Sequence, residues 1–158
     1  MSVPLPPPLP PNPETTLEER AHSVYQTDFG ASVEPTQFMR SEIHVNRAPH
    51  PANTRREHTY WHMVTEGNPE TQRVSPVKER LVKIPWVHPI LKHADDPDIK
   101  VWFSPREANK HYCVWHSNAN YLVILKQLRH GWLLKTTYRP DPERVAKLHQ
   151  EYARSKRV

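Results

Sequence analysis

The sequence predicts an α+β domain in which helices pack on one face of a four- to five-stranded antiparallel sheet. Strand-like and helix-like segments are segregated along the chain instead of alternating, which is the order typical of α+β folds. The C-terminal third contains four consecutive strand-like runs with short connections, and short connections favour antiparallel neighbours. A length of 158 residues is that of one domain.

Proline dominates the N-terminal segment. Residues 1–13 carry seven of the 18 prolines in the chain. Proline restricts φ and has no backbone N–H, so this segment is expected to be an extended polyproline II arm that buries too little apolar area to become ordered. We predict that residues 1–35 form a disordered Pro-rich leader and linker, with a short helix N-capped by Thr15 or Thr16. Residues 36–158 are then the packed domain.

The first elements of that domain follow from hydrophobic spacing. An alternating run at 41–47 predicts a half-buried strand. The aromatic and β-branched run at 55–65 favours a second strand, with a short helix as the alternative. Apolar residues at helical spacing then predict a helix over 75–94, with Ser75 as its N-cap. Pro85 should kink or end this helix, because its ring clashes with the carbonyl one turn earlier.

The C-terminal third predicts an antiparallel meander and a last helix. The four strands are expected at 99–103, 111–117, 121–127 and 132–139, with Gly131 in the last turn. Strict alternation along the fourth strand would place Leu134, Thr136 and Tyr138 on one face and Leu133, Lys135 and Thr137 on the other. Asp141 is expected to cap the last helix, in which Val145, Leu148 and Tyr152 form an apolar stripe.

Composition limits the compartment and the class of partner. The net charge of +5 suits a polyanion such as nucleic acid. The single cysteine, Cys113, excludes an intramolecular disulfide and is expected to be a buried thiol. No apolar run approaches the roughly 18–20 residues that span a bilayer. The N-terminus has no basic segment followed by an apolar one, so we do not expect secretion by a signal peptide. We expect a cytoplasmic protein without membrane contact and, since the chain starts with Met, a free-standing gene product.

The densest cluster of chemically active side chains lies at residues 58–62. His58 and His62 share a face on a strand or on a helix, and Arg55 and Arg56 lie just upstream. Histidine titrates near neutral pH, so the pair could supply a general base and a general acid. The alternatives are two polar residues on a solvated face, or a zinc site. The zinc alternative lacks both the glutamate of HExxH and a further ligand at a typical spacing.

Two further segments could bind phosphate. The guanidinium of Arg80, on the predicted helix, offers a fork that grips two phosphate oxygens, and Lys78 precedes it. Tyr138 and Thr137 could donate hydrogen bonds from the end of the last strand, near Lys135. A solvated helix face and ordinary strand-forming residues are the alternative interpretations.

These segments together resemble the BECR superfamily, the RNase fold of barnase, EndoU, colicin-type RNases and RelE, in its small phage- and toxin-associated branch. The resemblance covers roughly 41–152 and is carried by HTYWHMVTEG, ERLVKIPWVHPIL and YLVILKQLRHGWLLKTTY. It implies metal-independent RNA cleavage without a cofactor. A toxic activity would also imply a cognate inhibitor protein.

By position, the resemblance assigns catalytic roles to His58, His62, Arg80, Thr137 and Tyr138. The family more often has Thr-Ala-Tyr where this chain has Thr-Thr-Tyr, so Thr136 is the alternative to Thr137. We add nucleic-acid contacts from the nearby basic residues Arg55, Arg56, Lys78 and Lys135.

The expected activity is transesterification of RNA through the ribose 2′-OH to a 2′,3′-cyclic phosphate. The alternatives are a non-catalytic nucleic-acid-binding module and a protein-interaction protein that uses the Pro-rich arm.

Overall fold

The computed structural model describes residues 3–67, 72–104 and 111–155. Within these ranges the chain is an α+β domain, as predicted. Its elements in chain order are α1 Glu14–Phe29, β1 Gln37–Phe38, β2 Ser41–His44, β3 Pro49–His50, β4 Asn53–Glu57, α2 His58–Val64, α3 Lys78–Val82, α4 Ile84–Lys92, β5 Ile99–Phe103, β6 His111–His116, β7 Tyr121–Leu128, β8 Gly131–Tyr138 and α5 Pro142–Ser155. None of these helices is long and apolar enough to cross a membrane.

Strands β5 to β8 form the predicted meander, in which each strand pairs antiparallel with the next. Gly131 opens β8 with φ of 121°, a left-handed conformation that favours glycine. A Cβ at this position would lie 2.6 Å from the carbonyl oxygen of Glu42, so the turn has no room for a side chain. The four predicted strands are therefore confirmed, while most of the connection predicted between β5 and β6, at 105–110, lies outside the described residues.

The sheet is larger than predicted and is mixed. In the described part of the chain it contains six strands in the order β1-β2-β8-β7-β6-β5. Strand β2 runs parallel to β8, with Ile43 opposite Trp132, and β1 pairs antiparallel with β2. The prediction of a four- to five-stranded, wholly antiparallel sheet was wrong in this respect. A short turn forces two strands to be antiparallel, but β2 reaches β8 from far upstream, so tertiary packing sets its direction.

Helices cover both faces of the sheet, whereas the sequence predicted helices on one face. Helices α1 to α4 pack with one set of strand side chains, including Val114, Val123 and Leu134. Helix α5 packs on the opposite face through Leu148, against Trp102, Cys113, Trp115 and Leu122. We call these five buried residues the second core cluster, and the residues under α1 to α4 the main core. The predicted apolar stripe of α5 has this second face as its partner, and Cys113 is buried there as expected.

The Pro-rich leader is packed, and its predicted disorder was wrong. Val3 is only 5% exposed and belongs to the main core, while Leu5 and Leu9 pack against that core. The Leu9 N–H donates to the Val82 carbonyl at 2.9 Å, and the Trp86 indole N–H donates to the Pro6 carbonyl at 2.7 Å. Apolar residues between the prolines bury enough surface for the segment to dock. Whether residues 36–158 fold without it stays a prediction.

Helix α1 is longer than the predicted short helix and contributes to the core through Leu17, Ala21, Tyr25 and Phe29. It begins at Glu14 with Pro13 as its N-cap, so the predicted cap by Thr15 or Thr16 was wrong. The Thr16 hydroxyl instead donates to the Pro13 carbonyl at 3.3 Å. Proline suits the start of a helix because its missing N–H would have no partner there.

The segment predicted as a strand at 55–65 is a strand followed by a helix. Strand β4 ends at Glu57 and α2 follows at once, so the strand prediction was wrong for His58–Val64 and the short-helix alternative is confirmed. The helix buries four of its own large side chains in the core, those of Tyr60, Trp61, Met63 and Val64. Burial of these large side chains outweighs their preference for strands.

The predicted break near Pro85 is confirmed. Helix α3 ends at Val82, α4 begins at Ile84, and Pro85 lies in the first turn of α4. Ser75 does not cap the helix as predicted, because α3 starts at Lys78 with Val77 as its N-cap. Helix α5 begins as expected, since the Asp141 carboxylate accepts a hydrogen bond from the Arg144 N–H at 2.8 Å.

Candidate functional site

A groove of about 500 Å³ opens where β8 ends and α5 begins. Its lining among the described residues consists of Glu66, Val77, Glu79, Arg80, Tyr138, Arg139, Asp141 and Arg144. We call it the arginine groove. Arg80 and Tyr138 were predicted as site residues from separate segments, and the fold brings them together here. Arg139 and Arg144 were not predicted.

Charge in the arginine groove is arranged by depth. The side chain of Arg80 is 14% exposed, whereas that of Glu66, with an oxygen 3.6 Å from the guanidinium, is 65% exposed. Glu79 is also exposed, and Asp141 caps α5. The inner part of the groove is therefore cationic and its carboxylates lie nearer to solvent, an arrangement that suits an entering anion.

Arg80 is held by the backbone at the C-terminal end of α2. Its guanidinium donates to the Thr65 carbonyl at 2.6 Å and lies 5.7 Å from the centroid of the Tyr138 ring. A cation over an aromatic face contributes about 1 kcal/mol when partly buried. Burial lowers the pKa of Arg80, but guanidinium starts so high that the group remains a cation at neutral pH.

Tyr138 lies at the end of β8, half-buried, and its ring packs with the second core cluster under α5. Its hydroxyl oxygen accepts a hydrogen bond from Arg144 Nε at 3.3 Å. Because that oxygen accepts from Arg144, its own O–H can donate in another direction. The phenol therefore lies between two guanidinium groups, Arg80 at the ring and Arg144 at the hydroxyl.

Arg144 is a functional candidate that sequence reasoning missed. Its second contact is with the Glu151 carboxylate at 3.4 Å. The useful signal was the predicted cap at Asp141. The cap lies three residues after Tyr138 and α5 starts at Pro142, so Arg144 in the first turn must lie close to the end of β8.

The two predicted histidines lie together on α2. The ring centroids of His58 and His62 are 6.2 Å apart with an interplanar angle of 16°, and His50 lies 4.9 Å from His58. We call these three the histidine row. His50 is fully buried, and its Nδ1 accepts a hydrogen bond from the Ala52 N–H at 3.0 Å. Of the described residues that line the arginine groove, none is a histidine.

Helix α2 nevertheless links the row to the groove through its backbone. The His62 carbonyl accepts from the Thr136 hydroxyl at 3.4 Å and from Arg73 at 3.2 Å. One turn later, the Thr65 carbonyl accepts from both Arg73 and Arg80 at 2.6 Å. These hydrogen bonds bring together the end of α2, the start of α3 and the end of β8. The site residues were predicted from these three segments.

A β-bulge changes the faces of the last strand. Ile124 pairs with Thr136 and Leu125 with Leu134, which leaves Lys135 as an extra residue. Strict alternation was wrong in separating Thr137 from Leu134, because the bulge puts Thr137 opposite Val123, on the face of the main core that also contains Leu134. The predicted opposite faces of Thr137 and Tyr138 are confirmed. Thr137 is 0% exposed, and its hydroxyl lies 3.0 Å from that of Tyr121.

Tyr138, opposite Leu122, is on the other face of the sheet from Thr137. Thr136 is half-buried and contacts the His62 carbonyl. This hydrogen bond connects Thr136 to α2.

The predicted nucleic-acid contacts differ in their surroundings. Arg56 forms two hydrogen bonds with the Glu18 carboxylate, at 2.8 and 2.7 Å, so its guanidinium ties β4 to α1. Lys78 pairs with Glu14 at 2.5 Å on the surface. Arg55 is exposed, and Lys135 is half-buried at the bulge.

Among the described residues, no group of three His, Cys, Asp or Glu side chains is arranged to hold a metal ion. Comparison with protein-family models found no match, and no curated protein or solved structure is significantly similar to this chain.

Proposed function

We propose that the chain is a metal-independent endoribonuclease that binds the scissile phosphate of RNA in the arginine groove and cleaves to a 2′,3′-cyclic phosphate. One observation carries the proposal. Arg80 and Tyr138 belong to separate segments, yet the guanidinium lies 5.7 Å from the phenol ring in an open, internally cationic groove. A cation and a hydroxyl donor held together at one position are what a phosphoryl transition state requires.

Charge stabilisation is the main contribution expected from the groove. During transesterification, negative charge builds up on the non-bridging oxygens of phosphorus. Arg80 is anchored by the Thr65 carbonyl, so its guanidinium needs little reorganisation to meet that charge. Donors of this kind typically contribute about 10²–10³-fold to the rate.

Proton transfer completes the reaction. In the proposed step a histidine of α2, His58 or His62, takes the proton of the ribose 2′-OH. The 2′-oxygen forms a bond to phosphorus, and the bond from phosphorus to the 5′-oxygen breaks. The leaving 5′-oxygen takes a proton from Tyr138 or from the other histidine, and solvent restores the groups. General acid–base catalysis typically contributes about 10²–10⁴-fold.

A non-catalytic nucleic-acid-binding module is the second candidate. The observation in its favour is that, of the described groove-lining residues, none carries an imidazole. Without a base within reach of the 2′-OH, the same groove would bind a phosphate without cleaving its ester. Such a module would show salt-dependent RNA binding and no product.

The test is incubation of the purified chain with total RNA in excess EDTA. We expect cleavage, with cyclic phosphate at the new 3′ ends. Arg80→Met should lower the cleavage rate about 10²–10³-fold, and Tyr138→Phe about 10²-fold or more. Arg73 still donates to the Thr65 carbonyl in the Arg80 variant, so the carbonyl keeps a partner. Arg129→Met, exposed in the turn at the opposite end of β8, is the matched control.

Two results would overturn the proposal. Cleavage that requires added metal would assign the reaction to another mechanism. Binding of single-stranded RNA at low salt without any product would favour the non-catalytic module.

A further inference from the structure

Helix α5 contributes a side chain to the site. Arg144 lies in its first turn, and its Nε is 3.3 Å from the Tyr138 hydroxyl oxygen. This contact is separate from that of Arg80, which lies over the ring. The two arginines therefore constrain different parts of the same phenol.

Arg144 is itself held by a buried carboxylate. Its NH1 lies 3.4 Å from Glu151 Oε2, two helical turns further along α5, and Glu151 is only 5% exposed. The other oxygen of that carboxylate accepts from the Trp102 indole N–H at 3.2 Å. Trp102 is 3% exposed in the second core cluster. An ordered path of contacts thus runs from the core through Glu151 and Arg144 to Tyr138.

A carboxylate this deep in the protein is costly unless it has a partner, because burial removes its hydration. Helix α5 could have packed through Leu148 alone, with an apolar residue in place of Glu151. Burial alone would lower the pKa of Arg144, but its contacts with Tyr138 and Glu151 together raise it. These features suggest that the carboxylate serves to orient Arg144.

We propose that Arg144 is a positioning residue that, held by Glu151, fixes the Tyr138 hydroxyl so that its proton points into the arginine groove. This inference rests on the proposed function. With one lone pair of the oxygen engaged by Arg144, the O–H is directed towards a bound phosphate ester or its leaving oxygen. Arg144 acts through Tyr138 and does not replace Arg80 as the phosphate ligand.

Other charged groups also line the groove around Tyr138. They are Arg80 and Glu79 from α3, Glu66 after α2, and Arg139 and Asp141 between β8 and α5. Of the described residues that the structure records in contact with Tyr138, Arg144 alone donates a hydrogen bond to its hydroxyl oxygen. The variants below therefore change the contacts of Arg144 with Tyr138 and Glu151 and leave the other groove charges in place.

The first readout does not depend on activity. Carbon-13-labelled tyrosine gives one ring resonance for each tyrosine, and Tyr138→Phe identifies that of Tyr138 by its loss. We expect Arg144→Met to shift this resonance, and Glu151→Gln to shift it less. Because Arg144→Met removes a cationic partner of the buried Glu151 carboxylate, the double variant Arg144→Met with Glu151→Gln is measured as well. Arg154→Met, exposed on the same helix and outside the groove lining, is the control.

The second readout is kinetic. A loss of orientation should lower kcat about 10²-fold in Arg144→Met. In Arg144→Lys, KM should stay near the wild-type value, because the charge is kept. The kcat of this variant should remain low, because an ammonium lacks the fork that meets Tyr138 and Glu151 together. If Arg144 only stabilised the fold, kcat calculated per folded molecule would equal the wild-type value in both variants.

The outcomes separate the two proposals. If the wild-type chain cleaves no RNA, the proposed function fails, while the Tyr138 resonance still tests the role of Arg144. If that resonance is unchanged in Arg144→Met and in the double variant, the positioning role is wrong whatever the activity. Full recovery of kcat in Arg144→Lys would also overturn it.

Discussion

The arginine groove and the histidine row differ in how they are built. The groove is open, and Arg80 lies deeper in it than the more exposed carboxylate of Glu66. One end of the histidine row is inaccessible to solvent, because His50 is fully buried and its ring accepts a hydrogen bond from the Ala52 N–H. In the described part of the chain, the backbone of α2 connects the two through the His62 and Thr65 carbonyls. Phosphate binding and proton transfer should therefore be separable by mutation.

Replacing His58 or His62 is expected to give the largest difference between the effect on cleavage rate and the effect on RNA affinity. If His58 or His62 is the base, replacing it by alanine should lower the cleavage rate about 10²–10⁴-fold. The affinity for RNA should change little, because neither side chain lines the groove. Single-turnover kinetics and fluorescence anisotropy with labelled RNA measure the two quantities. Cleavage at the wild-type rate in both alanine variants would remove the row from the mechanism.

A smaller effect is expected from the contacts that hold α2 in place. Glu18 accepts hydrogen bonds from Arg56 and from the Tyr60 hydroxyl, the latter at 2.7 Å, and so ties α1 to β4 and α2. Glu18→Gln should lower the free energy of unfolding by about 2 kcal/mol at neutral pH, since hydrogen bonds to a charged group are lost. Urea unfolding measures this, with the exposed neighbour Glu19→Gln as control.

The same carboxylate predicts a pH dependence. Burial alone would raise the pKa of Glu18, but the bonds from Arg56 and Tyr60 outweigh it and hold the pKa below its ordinary value of 4.5. The stabilisation is therefore present above that value and is lost as pH falls through the lowered pKa. The difference between wild type and Glu18→Gln should shrink in acid below about pH 4. A constant difference would show that Glu18 contributes by packing alone.

The smallest effect is expected at the edge of the groove. Arg139→Met should weaken binding of single-stranded RNA roughly 3- to 10-fold and reduce the slope of log affinity against log salt by about 0.7, the value for one phosphate contact. The cleavage rate of saturated enzyme should hardly change. An unaltered slope would show that Arg139 contacts no phosphate, and Arg129→Met is again the control.

Local patterns were sufficient for the C-terminal half of the fold. The four strands of the meander follow from alternation, their last turn from Gly131, and the start of α5 from Asp141. The break between α3 and α4 follows from Pro85. Each of these features depends on residues within one or two turns of each other, where backbone sterics and capping operate.

Long-range packing decided what the sequence patterns predicted wrongly. Composition predicted a disordered leader. In the structure Val3 is part of the main core, and Leu9 packs against it and donates a hydrogen bond to the Val82 carbonyl. The run that became α2 has strand propensity, but its large side chains are buried as a helix. In the site, the residue types of Arg80 and Tyr138 pointed to phosphate. Arg144 was missed, because the cap at Asp141 puts it near the end of β8 but does not show that its side chain meets Tyr138.

The sequence by itself determined the α+β class, the meander, the helix break and the capped last helix, because those depend on local sterics and on hydrophobic period. Only the tertiary structure decided the parallel direction of β2 against β8 and the meeting of Arg80 with Tyr138. These depend on strand pairing and burial between segments far apart in the chain, and no spacing within a segment encodes which partner it will meet.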